Sequence, residues 1–380
     1  MRVGILTYHF SYNYGAIFQA YALQKWFKNN GHEAVFVNYH PYYVEEGGRI
    51  MNITNLKYAR RNVAVMYMRM ASLRRALFGN RNVRQQMKKF RTLVLGVTEP
   101  RLTRREDLER AARFDLLVCG SDQIWNPSLQ RGLDPVYFLD FPGSEYCRKI
   151  SYAPSFGSAQ LAPEYAAEAS RLIHNIDGLS VRESSGTLIV QQVSGKHALC
   201  VPDPTILLGD FDSIQSTPPI QYKYVLCYVL RSAKTVRNVA DHAGSLLDAP
   251  ILSVYNPDRR WREIGRTIYP SPSEWLGYLA TCSVMITNSF HGVALSLVLQ
   301  RPFIAVELPG RKKGLSERIA NILKQVGLEN RMITNYDESK INSLLMEEIR
   351  WEEINYKLAS IRKIGEDFLF NELRLVKVPV

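Results

Sequence analysis

Short apolar runs recur along the chain, each breaking into a polar, glycine-containing turn and then into a longer stretch with helical periodicity. Arg2 to Thr7 predicts a strand, and Ala16 to Asn29 predicts an apolar helix that Gly31 would close. Ala34 to Tyr39 predicts the next strand, and a β-loop-α-β opening is how a doubly wound α/β fold begins. Further strands are predicted over Phe114–Cys119, Lys149–Ala153 and Gly178–Val181. The stretch Gly209–Gln221, with two adjacent prolines, reads as a linker. A second series follows: strand Tyr224–Leu230, helix Lys234–Leu247, strand Ile251–Tyr255, and a helix opened near Pro270–Trp275 by Ser273 and Glu274. Val284–Thr287 then predicts a strand, Val293–Leu299 a buried helix stopped by Gln300-Arg301-Pro302, and Phe303–Glu307 another strand. A last helix is expected over about Glu348–Leu373. The fold class is therefore α/β, with two doubly wound, Rossmann-like domains over 1–210 and 221–350. The segment 351–380 is expected to be a C-terminal helix packing back across them.

The pattern also says where chemistry should lie. In a doubly wound sheet, ligands bind at the carboxyl ends of the strands. The turn Asn288-Ser289-Phe290-His291-Gly292 is such an end, and it opens a helix whose unpaired N–H groups and positive dipole end favour an anion. Ser289 is a good N-cap there, and His291 brings a proton that can move near neutral pH. A histidine after a strand is otherwise an ordinary packed or solvated residue. The first loop carries His9, Asn13, Tyr14 and Gly15 toward another helix N-terminus, a second potential ligand rim. The third strand ends in Gly120-Ser121-Asp122-Gln123-Ile124-Trp125-Asn126, where hydrogen-bonding groups and a flat ring suit a sugar, although a capped structural turn has the same composition. Arg182, at another strand end, reads either as an oxyanion ligand or as the partner of Glu183. Neither a G-x-G-x-x-G nor a Walker A pattern is present, and the D-x-D at Asp210–Asp212 stands alone in the linker and carries no weight.

Size and composition add bounds. The chain has 380 residues, more than one core usually serves, so two domains are the default. Its five cysteines are widely spaced with no C-x-x-C pair, which argues against zinc, iron–sulfur and disulfide frameworks and suits a reducing compartment. The N-terminal residues lack the apolar core of a signal peptide, so a cytoplasmic protein is expected. The net charge is +12, and the segment Arg49–Arg91 alone holds 12 Lys or Arg with no Asp or Glu. Within it Ala59, Val63, Met66, Met70, Leu73 and Leu77 recur at steps of four and three, an apolar helical seam. Arg61 and Arg75 fall opposite the seam, with Arg60, Arg69 and Arg74 flanking. The ordinary expectation is a seam packed on the domain with a solvated basic face. The sharper one is peripheral contact with the inner face of the cell membrane through 49–91. No aromatic–basic interleaving supports a nucleic-acid partner, and the oligomeric state is not encoded in any recognisable pattern.

Taken together, N-Y-G-A-I-F-Q-A-Y-A-L-Q, G-S-D-Q-I-W-N, Y-A-P-S-F-G, S-V-R-E, D-P-T and T-N-S-F-H-G followed by R-P-F-I resemble, in order and spacing, the polysaccharide pyruvyl transferase family. The resemblance runs along most of the chain. It implies a glycosyltransferase-B-like architecture, two domains facing a cleft. It also implies transfer of pyruvate from phosphoenolpyruvate to two hydroxyls of a cell-surface polysaccharide precursor, as a cyclic ketal. A glycan or lipid-linked oligosaccharide would be the acceptor, phosphoenolpyruvate the donor, and no metal or other cofactor would be needed. Carried over motif by motif, His291 is the general acid and Arg182 the anion clamp. Asp122, with Asn126, is the acceptor-side catalytic candidate, and Ser155 and Ser289 line the donor pocket. Asn13 and Asn288 complete the substrate-binding candidates. Several family members have R-L-H where this chain has Ser289-Phe290-His291; the His carries over and the Arg does not. Two other readings compete: a nucleotide-sugar transferase of the same architecture, and a non-catalytic glycan- or anion-binding module.

Overall fold

The structure is a computed structural model that describes residues 1–46, 50–55, 59–110, 113–231, 233–256, 264–308 and 313–376, with the backbone alone at residues 45, 46, 60, 61, 75, 76, 78, 110 and 313–315. It separates into two α/β units. The first comprises residues 1–12, 24–200 and 369–380, and the second 13–23 and 201–368. The stretch 209–221, expected as a linker, thus belongs to the second unit. There the Asp210 carboxylate accepts from the Asp212 N–H at 2.8 Å, so the D-x-D closes a turn.

In the first unit, strands β1 (Arg2–Leu6), β2 (Glu33–Phe36), β3 (Leu116–Cys119) and β4 (Arg148–Ser151) form an all-parallel sheet in the order β2-β1-β3-β4. A two-stranded parallel pair, β5 (Ser180–Val181) and β6 (Leu199–Cys200), lies beside β4, tied to it by the Ser151 and Ser180 hydroxyls. β3, Leu-Leu-Val-Cys, is buried at every position, as expected of a parallel strand covered on both faces. The helices up to this point in the chain are α1 (Tyr14–Asn29), whose residues through 23 belong to the second unit, α2 (Tyr42–Glu46), α3 (Ala59–Phe78), α4 (Arg81–Leu93), α5 (Pro127–Gln130), α6 (Ala166–His174) and α7 (Ser184–Ser194). Because β1 leads to β2 on one side and β3 joins on the other, strand order reverses between β1 and β3. The Thr7 hydroxyl, just past β1, donates to the Ser121 carbonyl just past β3 at 3.1 Å and closes that reversal.

The second unit holds six parallel strands: β7 (Val225–Tyr228), β8 (Ile251–Val254), β9 (Arg266–Ile268), β10 (Val284–Thr287), β11 (Phe303–Val306) and β12 (Met332–Ile333). Their order is β12-β11-β10-β7-β8-β9, so the reversal falls between β7 and β10. Its helices are α8 (Pro204–Leu208), α9 (Lys234–Leu246), α10 (Pro272–Thr281), α11 (Phe290–Val298), α12 (Lys313–Val326), α13 (Glu338–Met346) and α14 (Trp351–Arg374). The cap of α10 is Ser271 in a full capping box with Glu274, two residues before the serine expected from sequence. Ser316–Arg318 lies within α12, and residues 311–312 are outside the described residues.

α3 differs from its ordinary expectation. The helix forms, but it docks through Asn62 and Val65. Asn62 pairs its amide with both backbone groups of Met51, and Val65 is fully buried. The predicted seam lies roughly a third of a turn away and faces out: Val63 is 67% exposed, Met66 55%, Met70 68%, Leu73 59% and Leu77 60%. Periodicity identifies a two-faced helix; which face meets the core is decided by what else packs there.

Candidate functional site

The second-unit corner lies at the β7/β10 reversal. β10 ends at Thr287, whose hydroxyl donates to the Tyr228 carbonyl at the end of β7 (2.6 Å) and accepts from the Ser289 N–H (3.0 Å). The Asn288 amide bridges the crevice: its oxygen accepts from Leu230 N–H at 2.8 Å and its nitrogen donates to the Arg231 carbonyl at 2.7 Å. Asn288 is therefore a latch between two strand ends. Ser289 caps α11 by accepting from the Gly292 N–H, an arrangement worth about 1 kcal/mol of helix stability. The helix begins at Phe290, three residues earlier than the apolar run predicts, because the cap and not hydrophobicity sets the first turn.

That first turn places His291. Its side chain is 9% exposed, and Nε2 lies 3.6 Å from Oδ2 of Asp203 and has no hydrogen-bond partner among the described residues. Asp203 is buried and caps α8, its other oxygen accepting from the Thr205 N–H (3.0 Å) and hydroxyl (2.8 Å). Against the opposite side of the ring lies Gly15, in the first turn of α1, where a Cβ would come within 2.2 Å of Nδ1. Only glycine lets the imidazole rest on the helix. Asn13 begins α1, its side-chain oxygen accepting from the Ala16 N–H at 3.3 Å. Tyr14 donates to the Pro270 carbonyl at 2.7 Å and stacks on Trp275. Two helix N-termini thus meet one buried imidazole, which concentrates positive dipole ends at a proton carrier. His9, from the same loop, is different. It is 1% exposed, its Nδ1 is 3.0 Å from the Thr7 carbonyl and Nε2 3.2 Å from Asn38 Oδ1, and burial lowers its pKa to about 4. It belongs to the core and not to a ligand rim.

The first-unit corner lies at the β1/β3 reversal. Asp122 is half-buried with φ 69°, one carboxylate oxygen accepting from the Gln123 N–H at 2.8 Å and its carbonyl accepting from Ser155 N–H at 2.8 Å. Trp125, the ring expected to offer a sugar-stacking face, is fully buried. It donates to the Tyr137 carbonyl at 2.9 Å and stacks on Phe138 with centroids 4.8 Å apart. Asn126 caps α5 with its oxygen and donates to the Gln123 side chain with its nitrogen, and Gly157 is packed so tightly on it that a Cβ would lie 2.2 Å from the amide. Trp125 and Asn126 build the turn. Ser155 is fully buried, accepts from Gly157 N–H at 3.0 Å and donates to a Glu183 carboxylate oxygen. The other Glu183 oxygen lies 3.6 Å from Arg182 Nε, with the two side chains 6% and 2% exposed.

His291, Ser289, Asn288 and Asn13 are therefore grouped in the second unit, and Asp122, Asn126, Ser155 and Arg182 in the first. Sequence reasoning assigned no role to Asp203, and it named Gly15 only as part of a ligand rim and Glu183 only as a possible partner of Arg182. The P-D-P-T run was visible, and an Asp before Pro-Thr is a helix-cap signal, but nothing local says that a histidine 88 positions later will lie beside it. Among the described residues no group of three or more His, Cys, Asp or Glu side chains is placed to hold a metal ion.

The family model for polysaccharide pyruvyl transferase matches residues 13–308, which begin at the Asn13 cap and run past the His291 corner. No curated protein matches the chain in sequence. Similar solved structures include the UDP-GlcNAc 2-epimerase from Methanocaldococcus jannaschii, at 9% identity over 97% of this chain and 100% of that one, with a TM-score of 0.49. AviGT4, a glycosyltransferase involved in avilamycin A biosynthesis, has 11% identity over 99% and 98%, with a TM-score of 0.48. The glycosyltransferase SnogD from Streptomyces nogalater has 12% identity over 99% and 98%, with a TM-score of 0.43. Likenesses this distant say nothing of the chemistry. The match over residues 13–308 does identify the family, and it covers well over half of the sequence: the chain belongs to the polysaccharide pyruvyl transferases.

Proposed function

We propose that the chain transfers pyruvate from phosphoenolpyruvate to two hydroxyls of a glycan, forming a cyclic ketal, with His291 as the proton donor. The observation that carries this reading is the buried imidazole, its Nε2 unpartnered 3.6 Å from Asp203, at the meeting of two helix N-termini. Phosphoenolpyruvate is an enol phosphate. Addition of a glycan hydroxyl at C2 requires a proton at C3, which a positioned imidazolium supplies. The C2–O bond to phosphate then breaks and the second hydroxyl closes the ketal; of the two hydroxyl protons released, one returns to the enzyme and the other leaves on inorganic phosphate. Helix N-termini favour the departing dianion, acting where negative charge accumulates. Asp203 Oδ2 lies beside the same nitrogen at 3.6 Å, a charged neighbour of the ring and not a hydrogen-bonded one.

The remaining candidates take roles within this reading. Asp122, in a left-handed backbone conformation just past β3, is the acceptor-side base. Arg182, held by Glu183, is the donor's anion ligand, and Ser155 fixes Glu183. Ser289 acts through the cap that starts α11. The acceptor is a glycan, free or lipid-linked.

The test is release of inorganic phosphate from phosphoenolpyruvate by the purified chain across a panel of free and lipid-linked glycans, with mass spectrometry of the acceptor. Stoichiometric phosphate and pyruvylated glycan are expected. Tight binding of UDP- or GDP-sugars by calorimetry, with no response to phosphoenolpyruvate, would replace this reading by the nucleotide-sugar one.

A further inference from the structure

α3 presents an apolar stripe to solvent. Val63, Met66, Met70, Leu73 and Leu77 lie along one side of a 20-residue helix, each more than half exposed, and Ile53 in the preceding segment is 82% exposed. Isolated exposed hydrophobics are ordinary, but a run aligned along a helix about 30 Å long marks an interaction surface. The helix is nonetheless attached, through Asn62 and Val65 at about a sixth and a third of a turn from the stripe.

Charge selects the occupant. By helical position Arg69 borders the stripe on one side and Arg74 on the other, and both are exposed. α4 follows directly and turns Arg81, Lys88 and Lys89 outward while Val83, Met87 and Phe90 face the core. Between Arg49 and Arg91 there are 12 cations and no acid, equal to the net charge of the whole chain. A second copy of the chain would bring two such surfaces face to face, and like charges would oppose pairing. A nucleic acid would meet the cations but leave the aliphatic stripe in water. An anionic lipid surface answers both features, because an interfacial helix inserts its apolar side among acyl chains while flanking Lys and Arg meet headgroups. Among the described residues no helix is long and apolar enough to cross a membrane, so such contact would be peripheral.

We infer that α3, supported by the basic face of α4, docks the protein on an anionic lipid bilayer, the helix lying in the plane of the interface. The inference rests on exposure and charge and stands whether or not the donor is phosphoenolpyruvate.

The experiment is flotation of the full chain with vesicles of phosphatidylcholine alone or with about a third phosphatidylglycerol. Binding is expected to the anionic vesicles at low salt and to disappear near 1 M salt, where the Debye length is about 3 Å. The triple variant Met66→Gln, Met70→Gln, Leu73→Gln and the double variant Arg69→Glu, Arg74→Glu should each weaken binding by about tenfold or more while melting at the wild-type temperature. No flotation with anionic vesicles at low salt would overturn the inference. So would equal binding by either variant, or a fall in melting temperature showing the stripe to be packed. Sedimentation that reveals a dimer dispersed by the triple variant would assign the face to a second copy instead.

Discussion

Two strand-order reversals, one per unit, invite comparison. Each joins two parallel strands at their carboxyl ends, where doubly wound sheets bind ligands, and each is stitched by a polar side chain: Thr7 to Ser121 in the first unit, Asn288 to Leu230 and Arg231 in the second. Beyond the stitch they diverge. At β1/β3 the polar groups turn inward: Asn126 is engaged at both ends, Trp125 is buried, Ser155 bonds Glu183 and Glu183 faces Arg182. At β7/β10 the structure leaves a titratable nitrogen of His291 without a hydrogen bond and builds two helix starts around it. Buried polar groups are nearly always paired, so an unpaired one calls for an explanation, and a catalytic role is one of those open to it. On the reading proposed above, the His291 ring nitrogen does the chemistry at the second reversal; at the first, Glu183 Oε2 also lacks a hydrogen bond among the described residues and lies instead 3.6 Å from Arg182 Nε.

The comparison is broken most directly at His291. His291→Ala is expected to lower turnover by about a thousandfold, within the usual range for a lost general acid, while phosphoenolpyruvate affinity stays within about tenfold. Stability should change little, by no more than about 2 kcal/mol, because no hydrogen bond is removed and Asp203 keeps its two from Thr205. Steady-state kinetics beside thermal melting checks both halves. Turnover retained in this variant would leave the second reversal as structural as the first.

What was legible in sequence follows the same division. Most strands of both sheets were readable because parallel strands are nearly continuous apolar runs, and β10, Val-Met-Ile-Thr, is buried at each position; β9 (Arg266–Ile268) and β12 (Met332–Ile333) were missed, being too short to give such a run. The Ser289 cap and the histidine after it were readable because caps are local. The outward turn of the α3 seam was not, since a 3.6-residue period is the same whichever side finds a partner. Trp125 misled for a related reason: a ring in a turn looks the same in sequence whether it stacks on Phe138 or on a ligand. The contacts of Asp203 and Gly15 with His291 were out of reach because they span 88 and 276 positions, and spacing carries no signal over such distances.

Gly15 offers a sharper test with a smaller effect. A methyl at this position would sit 2.2 Å from Nδ1 and 2.4 Å from Cγ of His291, well inside contact distance. α1 starts from a capped turn and cannot easily recede, so the ring must move. Displacing a catalytic group by about 1 Å costs on the order of a hundredfold in rate. Gly15→Ala should therefore lower turnover by about that factor with near-wild-type phosphoenolpyruvate affinity. Combined with His291→Ala it should add little, because both changes act on one ring. Additive losses in the double variant would detach Gly15 from the imidazole and make its effect one of folding.

Arg182 probes the other side of the comparison, with the smallest expected effect. Its side chain is 2% exposed and lies 3.6 Å from a Glu183 oxygen, and that carboxylate also receives the Ser155 hydroxyl. As the donor's anion ligand, Arg182 contributes a charged hydrogen bond of about 1.5–3 kcal/mol, so Arg182→Ala should weaken phosphoenolpyruvate binding by roughly tenfold to a hundredfold. The same change leaves Glu183 buried beside Ser155 without its cation, so the melting temperature should also fall. Arg182→Lys separates the two effects. An ammonium restores a positive charge beside Glu183 but lacks the planar fork that meets an oxyanion at two points. The lysine variant should recover most of the stability and little of the affinity, measured by melting and by calorimetric titration with phosphoenolpyruvate. Loss of stability in the alanine variant with donor affinity unchanged in both would place Arg182 with Trp125 and Asn126. The β1/β3 reversal would then be scaffold throughout, and donor recognition would rest on the helix starts around His291.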